Sequence, residues 1–384
     1  MKKWIALLLA VMLLLSGCSN VVGSNDPGPT GQEEHTSNQL ENIPSNEDNV
    51  SNTVSSPMIT VSVPVFIDET TATDGTVIFR NIRQSMQLVM PDQDVADKII
   101  IDFLSRIELG AASSDEVKQQ AQVAYVSSNN WIPYLNSISY APKRIDQSVL
   151  SLYGSNLQFN GGAHAENTSR AANYNVLTGD VLTLGSIVVE ESSINKLCNL
   201  VITKLQAVAD EKYLRDGFEQ SVKQRFNGDE STDESWYFSA TGLCFYFDQY
   251  AIAPYSSGVI TVEIPYAELI GIIDDAFFPP ELDAVSGSVK TISVENADVT
   301  RYTRICEVVL ENEAPMRIVY TEGTVQNLRI VLLDAVLNGE YTVFATPTLT
   351  DGDAVVIQGN TNMFRQLIIV YESNGREMTI PVLD

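Results

Sequence analysis

The last hundred residues are a succession of short alternating runs: KTISVENA, RYTRICEVVLE, MRIVYTE, VQNLRIVLLDAV, EYTVFATP, DAVVIQG, FRQLIIVYE and REMTIPVL. Valine, isoleucine, threonine and aromatic residues recur in them at a spacing of two, and polar turns separate them. Strands this short can bury a whole face only against a second sheet. Residues from about Ser288 to Asp384 are therefore expected to form an all-β, sandwich-like domain. Asn374-Gly375 between the last two runs is a hairpin cue. Asp351-Gly352-Asp353 lacks the further oxygen ligands and closing Glu of a calcium loop, and reads as a hairpin turn.

Ahead of these runs the character is mixed. MITVSVPVFIDET and GTVIFRNIRQSMQLVMP are strand-like, with Asp74-Gly75 as the turn between them. In DQDVADKIIIDFLSRIELG, Val95, Ile99, Phe103 and Ile107 recur every fourth residue and Gly110 closes the run, which predicts an amphipathic helix. The stretch from Val117 to Phe159 reads as several strands with polar turns. A long helical pattern follows, with Ser192 or Ser193 as its cap and Asp216-Gly217 as a break. SWYFSATGLCFYFDQYAIAPYSSGVITVEIPYAELIGII then gives a strand, an aromatic loop, a strand and a short helix. The expected architecture is an α+β domain over residues 58–281, with an antiparallel or mixed sheet, then the β-sandwich-like domain over 288–384. Pro279-Pro280 is the expected hinge.

The N-terminus carries an address. Lys2 and Lys3 precede an apolar run from Trp4 to Leu15 that is too short for a stable membrane span, the pattern of a secretory signal. Leu15-Ser16-Gly17-Cys18 resembles the bacterial lipobox. That resemblance implies cleavage before Cys18, lipidation of its sulfur and an extracytoplasmic, lipid-anchored location, since two or more acyl chains make a stable anchor. Residues 18–57 are rich in Ser, Asn, Glu and Pro without an apolar face and read as a disordered tether with a reach of roughly 35 Å.

Composition narrows the chemistry. Lys plus Arg number 23 against 49 Asp plus Glu, for a formal charge of −26. Such a surface repels nucleic acid and favours cationic partners. Of four cysteines, Cys18 is spoken for, and an odd count rules out a full disulfide framework. Cys198, on a stripe with Ile194, Val201 and Leu205, and Cys244, in LCFYF, read as small buried hydrophobes. Of the two histidines, His35 lies in the tether. A zinc shell is short of ligands, a catalytic triad would have to use His164, and no G-x-S-x-G elbow, P-loop or G-x-G-x-x-G pattern is present. No cofactor and no metal are expected, and the chain reads as a non-enzyme. A pair of carboxylates working on a glycan is the enzymatic alternative.

Two separated signatures remain. One is Gly161-Gly162-Ala163-His164, then Asn173-Tyr174-Asn175, Thr178-Gly179 and Leu184. The other is Phe245-Tyr246-Phe247-Asp248-Gln249-Tyr250, then Ile252-Ala253-Pro254-Tyr255, Gly258 and Ile264-Pro265-Tyr266. In this order they resemble a bacterial extracellular domain of unknown function. It forms the outer, lysozyme-binding part of the anti-sigma-V factor and also precedes the catalytic domain of a peptidoglycan deacetylase. The resemblance spans about residues 58–280 and implies extracellular binding. This chain has neither a sigma-binding segment nor the paired histidines of the deacetylase, and Gly185-Ser186 stands where the family has an acidic residue.

Read on their own, Gly161 and Gly162 allow positive φ or close backbone approach, and His164 reads as a residue that fixes a turn by hydrogen bonding. Pro254 holds Tyr255 rigidly, and Tyr246, Tyr250, Tyr255 and Tyr266 are aromatic anchors for a protein or a sugar face, or else parts of the core. The candidate ligand-binding set is thus Gly161, Gly162, His164, Tyr246, Tyr250, Pro254, Tyr255 and Tyr266. The expected partners are the bilayer, through acylated Cys18, and a cationic muramidase or a cell-wall polymer. A structural or assembly lipoprotein is the remaining alternative.

Overall fold

The computed structural model describes residues 59–108, 113–126, 130–227, 235–279, 291–296, 302, 304–309, 316–334, 339–358, 365–373 and 376–382. The signal peptide, Cys18, the tether, His35 and the 280–290 segment lie outside the described residues. In chain order, β1 (Thr60–Ser62), β2 (Val65–Thr71), β3 (Val77–Gln84) and β4 (Gln87–Val89) precede helices α1 (Gln93–Glu108) and α2 (Ser114–Ala124). Then come β5 (Tyr134–Ile145), β6 (Val149–Phe159), β7 (Glu166–Asn175), α3 (Ser192–Ala207), α4 (Phe218–Phe226), β8 (Trp236–Phe238), β9 (Gly242–Phe247) and β10 (Ile260–Pro265). The eight C-terminal runs are all strands: β11 (Thr291–Asn296), β12 (Arg304–Val309), β13 (Met316–Glu322), β14 (Val325–Asp334), β15 (Gly339–Leu349), β16 (Asp353–Gln358), β17 (Arg365–Ser373) and β18 (Arg376–Pro381). The protein is α+β followed by an all-β sandwich.

The α+β part holds a five-stranded sheet ordered β2-β3-β5-β6-β7 and a three-stranded sheet ordered β10-β9-β8. Strands β3 and β5 run parallel, and the other neighbours are antiparallel. Helix α1 lies on the first sheet through Ala96, Ile99, Phe103 and Ile107, all buried; Ile99, Phe103 and Ile107 belong to the stripe read from the sequence, and its first member, Val95, is only partly buried beside Ala96. Each of the large side chains contributes about 1.5–3 kcal/mol by leaving water. The approach is close because Gly154 on β6 has no side chain: a Cβ there would sit 2.3 Å from Ile107 Cδ1. Helices α3 and α4 cover the three-stranded sheet with Leu197, Val201, Leu205, Phe218, Val222 and Phe226 against Trp236, Phe245 and Phe247. Cys198 and Cys244 are buried and unbridged, and Cys306 is half-buried.

Three local expectations change. Ser114–Ala124 is a helix rather than a strand: Ser113 and Glu116 form a reciprocal capping box, and Val117 and Ala121 bury one face against Phe79 and Tyr134. The run MITVSVPVFIDET is broken at Pro64, which has no N–H to donate, and its partner run breaks opposite it at Ser85. As a result β2 pairs with β3 in the five-stranded sheet, while β1 pairs with β4 and with β15. Finally, Asp351-Gly352-Asp353 is a turn but not a hairpin. It carries the chain from β15 to β16, which belong to different sheets. Its Asp353 carboxylate accepts from Thr350 N and Oγ1, and Asp351 Oδ1 accepts from Gly323 N at 2.7 Å.

The sandwich packs a six-stranded sheet, β18-β17-β14-β15-β1-β4, on a four-stranded one, β11-β13-β16-β12. Val325, Leu328, Ile330, Phe344 and Ile369 of the first meet Val308, Val319, Val355 and Ile357 of the second. Strands β17 and β18 pair from Ser373–Arg376 outward, and Asn374-Gly375 between them lies outside the described residues. Buried Gln84 binds the two parts together: Nε2 donates to Val63 O (3.0 Å) and Thr342 O (3.1 Å), and Oε1 accepts from Tyr140 N.

Candidate functional site

Strands β6 and β7 are joined by residues 160–165, and this tip carries the Gly-Gly-Ala-His signature. Gly161 has φ +90°, and a Cβ there would fall 2.3 Å from Tyr134 Oη, so a side chain is excluded on both counts. Gly162 is exposed, and a Cβ there would make only an ordinary contact, 3.7 Å from His164 O. The turn delivers His164 to the surface, where its ring stacks on Tyr255 with centroids 3.9 Å apart and planes 20° apart. His164 Nε2 lies 3.0 Å from Tyr250 Oη, and Tyr255 Oη donates to Ala165 O at 2.9 Å. The Tyr250 and Tyr255 rings are 5.7 Å apart. Three rings from two distant stretches thus form one aromatic cluster at the surface, with His164 and Tyr250 exposed and Tyr255 half-buried.

The β9–β10 connection supplies the tyrosines. Pro254 (φ −61°, ψ 160°) opens the single 3-10 turn Tyr255–Ser257, which fixes the direction of Tyr255. Tyr250 is left-handed (φ 67°) and half exposed at 50%. An L residue pays about 1–2 kcal/mol for that backbone. The connection is braced from α3's far end: Ser257 Oγ donates to Lys212 O (2.8 Å) and Arg215 N to Ile252 O (2.9 Å). The brace carries Tyr213, also left-handed (φ 52°) and 72% exposed. Of the three left-handed non-glycine residues among the described residues, two are therefore exposed tyrosines on adjoining loops. Tyr213 is absent from the sequence candidates because a lone Tyr in a helical pattern gives no sign that its backbone leaves the helix.

Beneath the cluster, Asp248 Oδ2 lies 3.5 Å from Ser169 N, while Oδ1 is buried without a hydrogen-bond partner. Burial pushes this carboxyl above the usual range, against the pull of the Ser169 hydrogen bonds and of the Arg170 and Arg225 charges. It is the one carboxyl of the second signature, and burial disfavours its charge.

Tyr246 and Tyr266 are elsewhere. Tyr246 is 2% exposed and packs edge-on to Tyr153 at 5.2 Å, a core residue whose hydroxyl is pushed far up by burial. Tyr266 Oη accepts from Arg144 Nη1 (2.8 Å) and donates to Ser239 O (2.9 Å), and burial pushes its hydroxyl up to about 12. Arg144 also donates to Phe277 O (2.6 Å) and pairs with Asp146 at 2.5 Å.

The rest of the first signature is structural. Buried Asn173 donates to Trp236 O (3.1 Å), and its Oδ1 accepts from Phe238 N (3.1 Å) and Ser151 Oγ, joining β7 to β8. Tyr174 Oη donates to Asp102 on α1 (2.8 Å), and Asn175 Oδ1 accepts from Leu177 N (2.8 Å) in the turn that Thr178-Gly179 completes. Chemically the cluster offers ring faces and two hydroxyls for contact. His164 engages tyrosines rather than a serine, cysteine or carboxylate. Among the described residues no group of three or more His, Cys, Asp or Glu is placed to hold a metal ion.

Residues 186–267 match the model of a family described as a protein of unknown function, DUF3298. The match takes in α3, α4, the β9–β10 connection and its tyrosines, and leaves the Gly161–His164 tip outside. No curated protein matches the chain. Among solved structures, a DUF3298 member from Bacteroides fragilis is 17% identical with a TM-score of 0.40, covering 56% of this chain and 94% of its own. A DUF3298 family protein from Pseudomonas aeruginosa PAO1 is 20% identical with a TM-score of 0.36, covering 57% and 98%.

Proposed function

We propose that this chain is an extracytoplasmic, lipid-anchored binding protein, held to the membrane through Cys18, and that the cluster of His164, Tyr250 and Tyr255 is its contact surface. The observation that supports the reading is the surface position of these rings, His164 and Tyr250 exposed and Tyr255 half-buried, on backbone held rigid, and in part strained, by Pro254, Gly161 and the left-handed Tyr250. Aromatic anchors of this kind lose little entropy on binding and suit a protein surface or a sugar face. The formal charge of −26 favours a cationic protein, and the resemblance to the lysozyme-binding family makes a muramidase the first candidate. The ring faces of the cluster suit contact, which supports retention as the activity.

Hen lysozyme titrated into the full chain near physiological salt is expected to bind, and Tyr255→Ala to weaken the complex about tenfold or more. Absence of binding by the unaltered chain, or equal binding by the variant, overturns this assignment. Release of sugar from peptidoglycan by the purified chain would favour the paired-carboxylate hydrolase instead.

A further inference from the structure

A second feature lies far from the aromatic cluster in the chain and in character. Between β5 of the α+β part and the outer face of the six-stranded sheet runs a groove of about 560 Å³. That is within the range of small-molecule sites. Its lining is apolar at Leu328 and Val331 and charged at Lys143, Arg144, Arg329, Glu340, Glu372 and Glu377. Most of these charges are already satisfied. Arg144 pairs with Asp146, Arg329 with Glu377 at 2.8 Å, and Glu372 accepts from Asn327 Nδ2 at 2.8 Å.

Lys143 is different. Its Nζ stands 5.0 Å from the Tyr153 ring centroid and 5.2 Å from that of Tyr237, and no described residue gives it an ion pair or a hydrogen bond. Ring faces stabilise an ammonium but leave its three N–H donors unused. A half-buried cation without an acceptor is costly, and none of the acids among the described residues is placed against it.

We propose that the groove is a binding site for an organic monocarboxylate, whose oxygens accept hydrogen bonds from Lys143 Nζ beside the guanidinium of Arg329. The acids that line the groove select against phosphates and other polyanions, and its apolar lining suits a short aliphatic or peptidic body. Burial, with the like charge of Arg329, holds the Lys143 ammonium below the ordinary lysine range. An arriving carboxylate would offset that penalty and raise it again.

Calorimetric titration of the full chain with propionate, with N-acetyl-Ala-Ala as the free acid and with the same peptide as its C-terminal amide tests this. One or both acids are expected to bind, and the amide about tenfold or more weaker, as loss of one desolvated charge pair requires. Binding of propionate identifies a free small acid as the source, and binding of the peptide acid alone identifies a peptide C-terminus. Lys143→Met is expected to remove the acid binding. A second measurement needs no variant. Trace acetylation of the unaltered chain, read by mass spectrometry, should modify Lys143, and the bound acid should protect it. Equal binding of acid and amide, undiminished binding by Lys143→Met, or no binding and no protection by either acid overturns the assignment.

Discussion

The second signature places tyrosines in two regions that use the same side chain in opposite ways. Tyr250 and Tyr255 stand on the β9–β10 connection with their rings at the surface and their hydroxyls tied to His164 and Ala165. Tyr246 and Tyr266 flank that connection on either side, one buried in the core and the other locked to Arg144 and Ser239. The difference follows from the backbone. Tyr246 lies in β9, whose residues are buried along its length, and Tyr266 follows β10 against the β8–β9 turn. Tyr250 and Tyr255 sit where the chain has left the sheet and is steered by a left-handed residue and a proline. The Arg144 region therefore holds the fold, while the aromatic cluster is held by it and left free for contact.

The Arg144 region should break first and hardest. Arg144→Met takes the buried guanidinium away from the half-buried Asp146 carboxylate, Phe277 O and Tyr266 Oη. Removing one member of a buried charged network costs about 3–5 kcal/mol. Denaturant unfolding should show that loss, while lysozyme binding by the fraction still folded stays unchanged. A variant that keeps full stability would mean that Arg144 is not the fastening it is taken to be.

Gly161→Ala tests the other region from below. The new methyl group must displace the Tyr134 ring and adopt a positive φ, a cost of about 1–3 kcal/mol. It also shifts the tip that presents His164, so stability and binding should fall together. Tyr250→Gly separates the two. Relief of the left-handed backbone, about 1–2 kcal/mol, is offset by glycine's entropy and by the lost contact with His164. The net change in stability should stay within about 1 kcal/mol, yet binding should drop about tenfold or more. A melting temperature that falls as far as in Gly161→Ala would place Tyr250 with the structural tyrosines.

Much of this division was legible in the sequence, and where it was not the reasons are local. The eight C-terminal strands and the α1 stripe follow from periodicity, because burial on one face leaves a period in the residues themselves. The split of the first two runs between sheets does not, since β1 and β4 alternate no differently from β2 and β3. Only Pro64 marks the bend, and the partner of β1 is β15, nearly three hundred residues away. Helix α2 was hidden by its β-prone valines, although Ser113 and Glu116 already formed a capping signal. In the site, the pairing of His164 with Tyr250 and Tyr255 joins two motifs whose separation in sequence says nothing of distance in space. No pattern of residue types distinguishes Tyr246 from Tyr250. The distinction lies in φ, and so does the candidacy of Tyr213.

Asp248 gives the smallest effect and the sharpest sign. It sits at the junction of the two regions, just after buried β9 and just before Tyr250, with Oδ1 buried and unpartnered. Burial raises its folded-state value above the ordinary 3.8, and Arg170 and Arg225 offset that only in part. A raised carboxyl contributes stability that is fully present below the unfolded-state value and is lost as pH rises through the folded-state value. Asp248→Asn keeps the shape and removes the charge. It should be indistinguishable from the unaltered chain in acid and more stable at neutral pH, by up to about 1 kcal/mol, with the gain opening as pH rises above 3.8. Denaturant midpoints measured in acid and at neutral pH resolve it. A variant that is less stable at neutral pH would show that the carboxylate is satisfied where it lies, and that the junction is built as firmly as the Arg144 region.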